Sequence, residues 1–306
     1  MSTDLGPEFL EKYTAIENNL KKRFMRKPNI SEATEEFSNL AVQCELAEQP
    51  PFAGICYLEA AKCESSIGNT VGSAEYLLMS ARQFMKAEFK LSSLKCVSPG
   101  RENLEAAISS YLHAHSKYPE KSPLRVAVIT ELAEALERLG HHSEAIQYYR
   151  YCLKDYNSVP ETTGCELNIL SKIATIYLKK ENYAEALKIF KIIDSAAKVL
   201  DYKPYIQRCE VNILLLYLIV QPSPDNVTTE ANLVKRYTII SDEEPCINEE
   251  CPIHPELFLH LQSVLFACKT NDIKALINLN TEMKDFLTIE QMDLMQVLIE
   301  TYEMMT

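Results

Sequence analysis

Apolar residues recur along almost the whole chain at the three- and four-residue spacing of an α-helix. The stripe formed by Phe9, Tyr13, Ile16, Leu20 and Phe24 shows this spacing at the start of the sequence. No segment sustains the alternation of apolar and polar residues that is typical of a half-buried strand. The sequence therefore predicts an all-α protein of about a dozen short helices with short connections.

Glycine is scarce, with only 7 residues among 306. Phosphate-cradling loops, dinucleotide-binding turns and hairpin-rich sheets need glycine where the backbone adopts a positive φ or approaches a ligand closely. The composition therefore disfavours all three kinds of structure. Gly68 and Gly140 each follow an apolar helical stretch, where a left-handed residue commonly ends a helix. We expect both glycines at turns between antiparallel helices.

A weak internal repeat accompanies the helical pattern. In each copy a small residue is followed four positions later by a large apolar residue, and three positions after that by a small or apolar residue. The copies are Ala74/Leu78/Ala81, Ala107/Tyr111/Ala114, Ala145/Tyr149/Cys152 and Ala186/Phe190/Ile193. Their first residues lie 33, 38 and 41 positions apart, near the 34 of tetratricopeptide repeats. The pattern favours a tetratricopeptide-like α-solenoid, with a generic helical bundle as the alternative.

We predict one helical-repeat domain that covers the whole chain. The predicted boundaries are residues 1–306 for the domain, about 50–90, 102–160 and 166–200 for the clearest repeat units, 241–254 for an acidic loop and 255–304 for the C-terminal helices. Within this domain, Ser122 and Pro123 favour a helix start with a capping serine. Thr288 and Gln291 have the spacing of a capping box.

The chain has none of the common catalytic motifs. The patterns G-x-S-x-G, the Walker loop, H-E-x-x-H and C-x-x-C do not occur. The nearest candidate for a metal site is Cys246-x4-Cys251-x2-His254, which offers three ligands where structural zinc normally takes four. We therefore predict a protein that is not an enzyme and binds no cofactor, and we interpret this segment as a connector.

The ten cysteines are scattered, and most lie in apolar helical patterns where a reduced thiol behaves as a small hydrophobe. The N-terminal stretch has no signal-peptide pattern, and the longest apolar run, 213–220, is shorter than the roughly 20 residues of a membrane helix. We expect a reduced, cytoplasmic protein that does not insert into membranes. The net charge of −12 disfavours nucleic-acid binding, which depends on cations that neutralise phosphates.

Charge is distributed unevenly along the chain. Residues 21–27 contain five cations, whereas residues 241–306 contain 13 acidic residues and three lysines and so carry −10 of the −12. A solvated helix end is one explanation of the basic stretch, and a surface that docks on an acidic partner or an anionic lipid is the other. The charged candidates for partner binding are Lys21, Lys22, Arg23, Arg26 and Lys27 in the basic stretch, and Asp242, Glu243 and Glu244 in the acidic one.

The segment from Cys209 to Val220 is apolar on nearly all sides. A helix of this kind must be covered on all sides. Neighbouring helices of the same chain are one possible cover, and a partner protein is the other. If a partner covers this helix, Leu214, Leu215 and Leu218 are the residues that we expect to contact it.

Several strings along the chain are distinctive. They are Phe9-Leu10-x2-Tyr13, the run from Leu20 to Asn29, Arg208-Cys209-Glu210-Val211 with Leu214–Leu216 and Gln221-Pro222, Pro255-Glu256-Leu257-Phe258-Leu259-x-Leu261-Gln262-Ser263, and Leu287-Thr288-x-Glu290-Gln291. In identity and order they resemble the forty-kilodalton huntingtin-associated protein family, also known as the factor VIII intron-encoded protein family. The resemblance runs from end to end, close in these strings and looser through the central repeats.

This resemblance implies a tetratricopeptide-like fold, similar to that of the soluble attachment proteins of vesicle fusion. It implies a non-enzymatic adaptor that forms a heterodimer with huntingtin, lies between the helical-repeat domains of that protein and stabilises them. It also implies association with early endosomes, where the pair is the effector of a Rab GTPase, and a location in the cytoplasm and the nucleus. A vesicle-fusion attachment factor that recruits an ATPase to a coiled-coil membrane complex is the alternative function.

Two segments depart from the pattern of the family that this chain resembles. Vertebrate members carry a long proline-rich insertion near the position of Lys203-Pro204, and this chain lacks it. The 241–254 loop also differs. We therefore do not carry over to this chain any role that these segments have elsewhere.

Overall fold

Helices follow one another along the chain, as the spacing of the apolar residues predicts. The computed structural model of the 306-residue chain describes residues 6–21, 29–96, 98–120, 122–156, 163–221, 229–238 and 253–304. Within these ranges the regular elements are α-helices and one 3₁₀ turn, and none is a strand. The predicted fold class, all-α and tetratricopeptide-like with consecutive helices packed in pairs, is confirmed.

The chain divides into two compact units, Met1–Thr162 and Thr163–Thr306. The first contains α1 (Gly6–Leu20), α2 (Ile30–Leu46), α3 (Pro50–Ser66), α4 (Thr70–Ser93), α5 (Glu102–Lys117), α6 (Pro123–Arg138) and α7 (His142–Tyr156). The second contains α8 (Thr163–Lys179), α9 (Tyr183–Val199), α10 (Lys203–Val220), α11 (Thr229–Tyr237), α12 (Pro255–Thr270), α13 (Ile273–Glu282), the 3₁₀ turn Met283–Asp285 and α14 (Ile289–Glu303). The single domain over residues 1–306 stays a prediction.

Local sequence signals explain most helix ends. Gly68 has a φ of 80° and Gly140 a φ of 83°, so both are in the left-handed conformation predicted for the turns after α3 and α6. The capping box of α14 is also present, since Thr288 Oγ1 accepts from the Gln291 amide while Gln291 Oε1 accepts from the Thr288 amide. Ser122 is the N-cap residue of α6 and Pro123 lies in its first turn, as predicted, but the Ser122 side chain makes no capping hydrogen bond.

The residues of the weak repeat lie in the core. All of them are buried except Leu78, which is half-buried. The two later steps of 38 and 41 residues each span two helices, from α5 to α7 and from α7 to α9. The first step of 33 residues instead joins α4 to its immediate neighbour α5. The copy at Ala74 is therefore not equivalent to the other three, although its alanines are buried in the same way.

Close approach of helices is clearest between α3 and α4. The Ser80 hydroxyl donates to the Gly54 carbonyl over 2.8 Å, and both residues are buried. A Cβ atom at Gly54 would lie 3.0 Å from the ring of Phe84, which is tighter than an ordinary contact. The absence of a side chain at Gly54 therefore allows α4 to pack directly against the backbone of α3.

Candidate partner-binding surfaces

Most of the charged residues proposed for partner binding lie outside the residues that the structure describes. These are Lys22, Arg23, Arg26 and Lys27 in the basic stretch and Asp242, Glu243 and Glu244 in the acidic one. Lys21 is described and is exposed just after α1. Its ammonium lies 3.8 Å from Glu17 and donates to Asn18 over 3.2 Å. The docking role of both charged stretches stays a prediction.

The apolar helix α10 is covered by its own unit. Leu214 and Leu215 are fully buried, and only 7% of the Leu218 surface is accessible. Helices α9, α11 and α14 pack against α10. Of the two covers that the sequence leaves open, the structure therefore favours this chain's own helices. In this conformation these leucines are core residues and present little surface to a partner.

A buried carboxylate on α10 helps to hold α11 in place. Glu210 is 3% accessible, and its Oε1 accepts from Arg236 Nη1 and from the Tyr237 hydroxyl, each over 2.8 Å. The Tyr237 ring lies 4.7 Å from the ring of Phe258 on α12. A buried charge needs such partners, because burial without them is costly. Glu210 thus acts as a structural link between α10 and α11.

A second carboxylate joins three helices of the second unit. Glu290 in the first turn of α14 accepts from Arg208 Nη2 over 2.8 and 3.0 Å, from Asn212 Nδ2 over 2.9 Å and from Thr175 Oγ1 over 3.0 Å. We call these four residues the Glu290 node. Arg208 and Glu290 belong to the strings that carry the family resemblance. Both residues are distinctive in the sequence, but no sequence spacing indicates that they are in contact, because 82 positions separate them.

An open groove lies among α3, α4 and α5 of the first unit. Its volume is about 510 Å³, and we call it the serine groove. The residues that line it are Leu58, Ala61, Lys62, Ser65, Ser73, Leu77, Phe84, Ala106, Ser109, Ser110, His113, Ser116 and Lys117. Five of these side chains are serines, and none is a carboxylate. The sequence analysis missed this surface, because its residues come from three helices and share no linear motif.

Two other grooves, of about 370 Å³ each, lie in the second unit. One is lined by residues of α8, the start of α9 and α14, among them Lys179, Glu290 and Asp293. The other lies between α12 and α13 and is lined by Phe266, Asp272 and Glu282 among others. Both grooves contain carboxylates, so the serine groove differs from them in its charge.

The described residues contain no cluster of three side chains able to hold a metal ion. Cys246 and Cys251 lie outside them, and His254 caps α12, its Nδ1 accepting from the Glu256 amide over 3.4 Å. Burial raises the pKa of Cys209 to about 12 and that of Cys268 to about 11. These thiols are therefore protonated at neutral pH and poor nucleophiles.

Comparison with known proteins assigns the chain to a family. The family model of the soluble NSF attachment protein, SNAP, matches residues 17–202. The chain belongs to the SNAP family. The stretch that matches the SNAP model contains all of α2 to α9, and with them the whole serine groove and the Thr175 side of the Glu290 node.

This SNAP-family chain is also similar to two curated proteins over nearly its whole length. The 40-kDa huntingtin-associated proteins of Rattus norvegicus and Mus musculus are each 27% identical to it over 356 residues, which cover 96% of this chain and 92% of the relative. Among solved structures, TPR-like repeats of a putative kinesin light chain from Podosopora anserina match with 14% identity and a TM-score of 0.27, over 65% of this chain and 98% of that one. The fold assignment depends on the helix pairs described above.

No helix in the ranges that the structure describes is long and apolar enough to cross a membrane. The longest helix, α4, has 24 residues but includes charged side chains along its length. The apolar helix α10 has 18 residues, of which Lys203, Arg208 and Glu210 are charged.

Proposed function

We propose that this SNAP-family chain is a non-enzymatic adaptor that binds huntingtin between its helical-repeat domains and stabilises it. The observation that carries the proposal is the similarity to the 40-kDa huntingtin-associated proteins, which spans 96% of this chain. The similarity extends about 100 residues beyond the stretch that matches the SNAP model. It therefore favours huntingtin association over the properties of the SNAP family in general.

The geometry supports the same function. The distinctive strings contribute Arg208 and Glu290 to the Glu290 node and Glu210 to its link with α11, and both sets of contacts are structural. The described residues offer grooves on helical surfaces and contain no cluster of three side chains able to hold a metal ion. Surfaces of this kind suit the binding of another protein's helices.

Co-purification with the huntingtin of the same organism tests the proposal. The two chains, expressed together, should elute as a heterodimer in size-exclusion chromatography at about 1 μM, a concentration at which a specific complex of ordinary affinity persists. Each partner should also melt at a higher temperature in the complex, because binding to the folded state alone stabilises that state. Separate elution of two folded proteins at this concentration would overturn the proposal.

We further propose that the complex is found on early endosomes as the effector of a Rab GTPase, and that the chain is otherwise cytoplasmic and nuclear. The similarity to the 40-kDa huntingtin-associated proteins motivates this proposal. Early-endosome fractions should contain the chain only when huntingtin is present and the GTPase carries GTP. An endosomal amount that is unchanged without huntingtin would contradict this role.

A vesicle-fusion attachment factor is the second candidate, because the family model that matches residues 17–202 is named for attachment to NSF. Such a factor would recruit the ATPase to a coiled-coil membrane complex. Added to that ATPase and a purified fusion complex, the chain should then raise the rate of ATP hydrolysis and of disassembly. Unchanged rates, together with no binding to the fusion complex, would exclude this candidate.

A further inference from the structure

The walls of the serine groove have the spacing of a surface on which another helix packs. On α3 the lining residues Leu58, Ala61, Lys62 and Ser65 lie at positions i, i+3, i+4 and i+7. On α5 the lining residues begin at Ala106 and continue with the same spacing to Lys117. An amphipathic helix that docks in a groove meets its receptor along stripes of this kind. Each wall is therefore one face of a helix, and another helix can pack between the two walls.

Two hydroxyl groups in the groove have no partner within the described residues. Ser73 is 1% accessible and Ser110 is 3% accessible, and both line the groove. None of the hydrogen bonds among the described residues engages either hydroxyl, whereas the equally buried Ser80 donates to a carbonyl. Neither oxygen is among the enclosed polar atoms that lack a partner, so both hydroxyls are open to the groove. An occupant that offers polar atoms as well as an apolar surface can bond to them.

The charge of the groove indicates which charge the occupant carries. The Lys117 ammonium donates to Ser65 Oγ over 3.1 Å, and no carboxylate of the described residues lies within ion-pair distance of it. Lys62 is the second lysine of the groove and pairs with Glu59 over 2.7 Å. In a chain with a net charge of −12, a surface without a lining carboxylate is unusual. A negatively charged side chain of a partner would complement Lys117.

Lys117 and Phe84 lie at opposite ends of the groove. Lys117 contacts Ser65, so the last turns of α3 and α5 are adjacent. Phe84 lies instead beside Gly54 in the first half of α3. The groove thus has a cationic end and an apolar end, which together define the direction in which a helix binds.

We propose that the serine groove binds one amphipathic helix of the partner protein, with an Asp or Glu of that helix on Lys117 and its apolar side chains towards Phe84. This inference rests on the proposed function, because huntingtin is the partner that supplies the helix. The polar residues of the bound helix satisfy Ser73 and Ser110, and the small residues Ala61 and Ala106 allow its backbone to approach closely.

Charge reversal at Lys117 tests the electrostatic part of the proposal. The Lys117→Glu variant and the matched control Lys154→Glu each change a lysine in the last turn of a helix, and only Lys117 lines the groove. In binding measurements with purified huntingtin, we expect Lys117→Glu to weaken the affinity about tenfold or more, and Lys154→Glu to change it less than about twofold. The effect of Lys117→Glu should shrink as salt is raised.

Added bulk without charge tests the shape of the groove. Ser109→Gln fills space in the groove, and Ser195→Gln makes the same change at an exposed helical serine of α9 that does not line it. We expect Ser109→Gln to weaken huntingtin binding about fivefold and Ser195→Gln to leave it unchanged. Because both serines are exposed, both variants should melt within a few degrees of the wild type.

The outcomes separate the groove from the proposed function. If the wild-type chain binds no huntingtin, the proposed function is wrong, and so is the proposed occupant of the groove. If the wild-type chain binds huntingtin and neither Lys117→Glu nor Ser109→Gln weakens this binding, the serine groove is not the binding site, and the proposed function stands. If Ser109→Gln weakens binding but Lys117→Glu does not, the proposed acidic side chain of the occupant is wrong. If the two control variants weaken binding equally, the proposed specificity of the groove is wrong.

Discussion

The Glu290 node and the serine groove are both polar, but they differ in how their polar groups are satisfied. At the node one carboxylate accepts hydrogen bonds from three side chains and so joins α8, α10 and α14, although the buried Asn212 Oδ1 has no partner among the described residues. In the groove, Ser73 and Ser110 make no hydrogen bond to another described residue, but neither hydroxyl is among the enclosed polar atoms that lack a partner. The node therefore joins helices of its own unit, whereas the two hydroxyls of the groove are open to solvent or to a ligand.

The largest effect should follow from the loss of the Glu290 carboxylate. Glu290→Ala leaves Arg208, Asn212 and Thr175 without their common acceptor, and we expect the free energy of unfolding to fall by about 2–4 kcal/mol. Urea unfolding measures this loss. The control Glu300→Ala removes an exposed carboxylate of the same helix and should cost less than about 0.5 kcal/mol. Equal losses in both variants would show that the node contributes nothing specific.

A smaller effect should separate two buried serines. Ser80→Ala removes a hydroxyl that donates to the Gly54 carbonyl, whereas Ser110→Ala removes one without a partner in the described part of the chain. Each variant replaces a helical serine with alanine and gains the same helix propensity. The difference between their free energies of unfolding therefore reports the hydrogen bond of Ser80. We expect Ser80→Ala to be less stable than Ser110→Ala by about 1 kcal/mol in thermal or urea unfolding. Equal stability would contradict the contrast between paired and unpaired groups.

The smallest effect concerns pH and a paired carboxylate of the first unit. Burial raises the pKa of Glu131, but hydrogen bonds from Arg82 over 2.7 and 2.8 Å and from Tyr111 over 2.9 Å outweigh it and hold the pKa below its usual value. A lowered carboxyl pKa in the folded state stabilises the protein above the unfolded pKa of about 4.3. This stabilisation is lost as the pH falls through the folded pKa.

Glu131→Gln should therefore be less stable than the wild type at pH 7, by less than about 1 kcal/mol because the pair is partly exposed. The difference should disappear towards pH 3. Urea unfolding at several pH values measures it, with Glu35→Gln as a control at an exposed position. A difference that grows as the pH falls would have the wrong sign for this pairing.

Local patterns predicted the elements, because a helix and its ends depend on neighbouring residues. The apolar spacing, the left-handed Gly68 and Gly140 and the Thr288 capping box are of this kind. Ser122 begins α6, but its Oγ accepts no hydrogen bond from an amide of the first turn, a detail that the sequence does not reveal. For Leu214, periodicity showed that the residue must be covered, and only the packing of α9 and α14 shows what covers it.

The candidate surface could not be predicted in the same way. The serine groove forms where α3 meets α5, and Lys117 contacts Ser65 across 52 positions. In the sequence, a helical serine looks like an ordinary surface residue. Only the packing of neighbouring helices shows whether it is buried and whether its hydroxyl is paired. The Glu290 node likewise depends on contacts across 78 to 115 positions, and no sequence spacing indicates them.

The Glu290 node also has a consequence for the order in which the chain folds during synthesis. In the first unit, α3 and α4 meet through residues only 26 positions apart, so their contacts form soon after the chain appears. The Thr175 hydroxyl can bond to Glu290 only after a further 115 residues have been synthesised. At the usual rate of translation this delay lasts on the order of ten seconds, during which α8 and α10 lack their acceptor. A chain stalled before α14 would therefore present a folded first unit and an unfinished second one to chaperones.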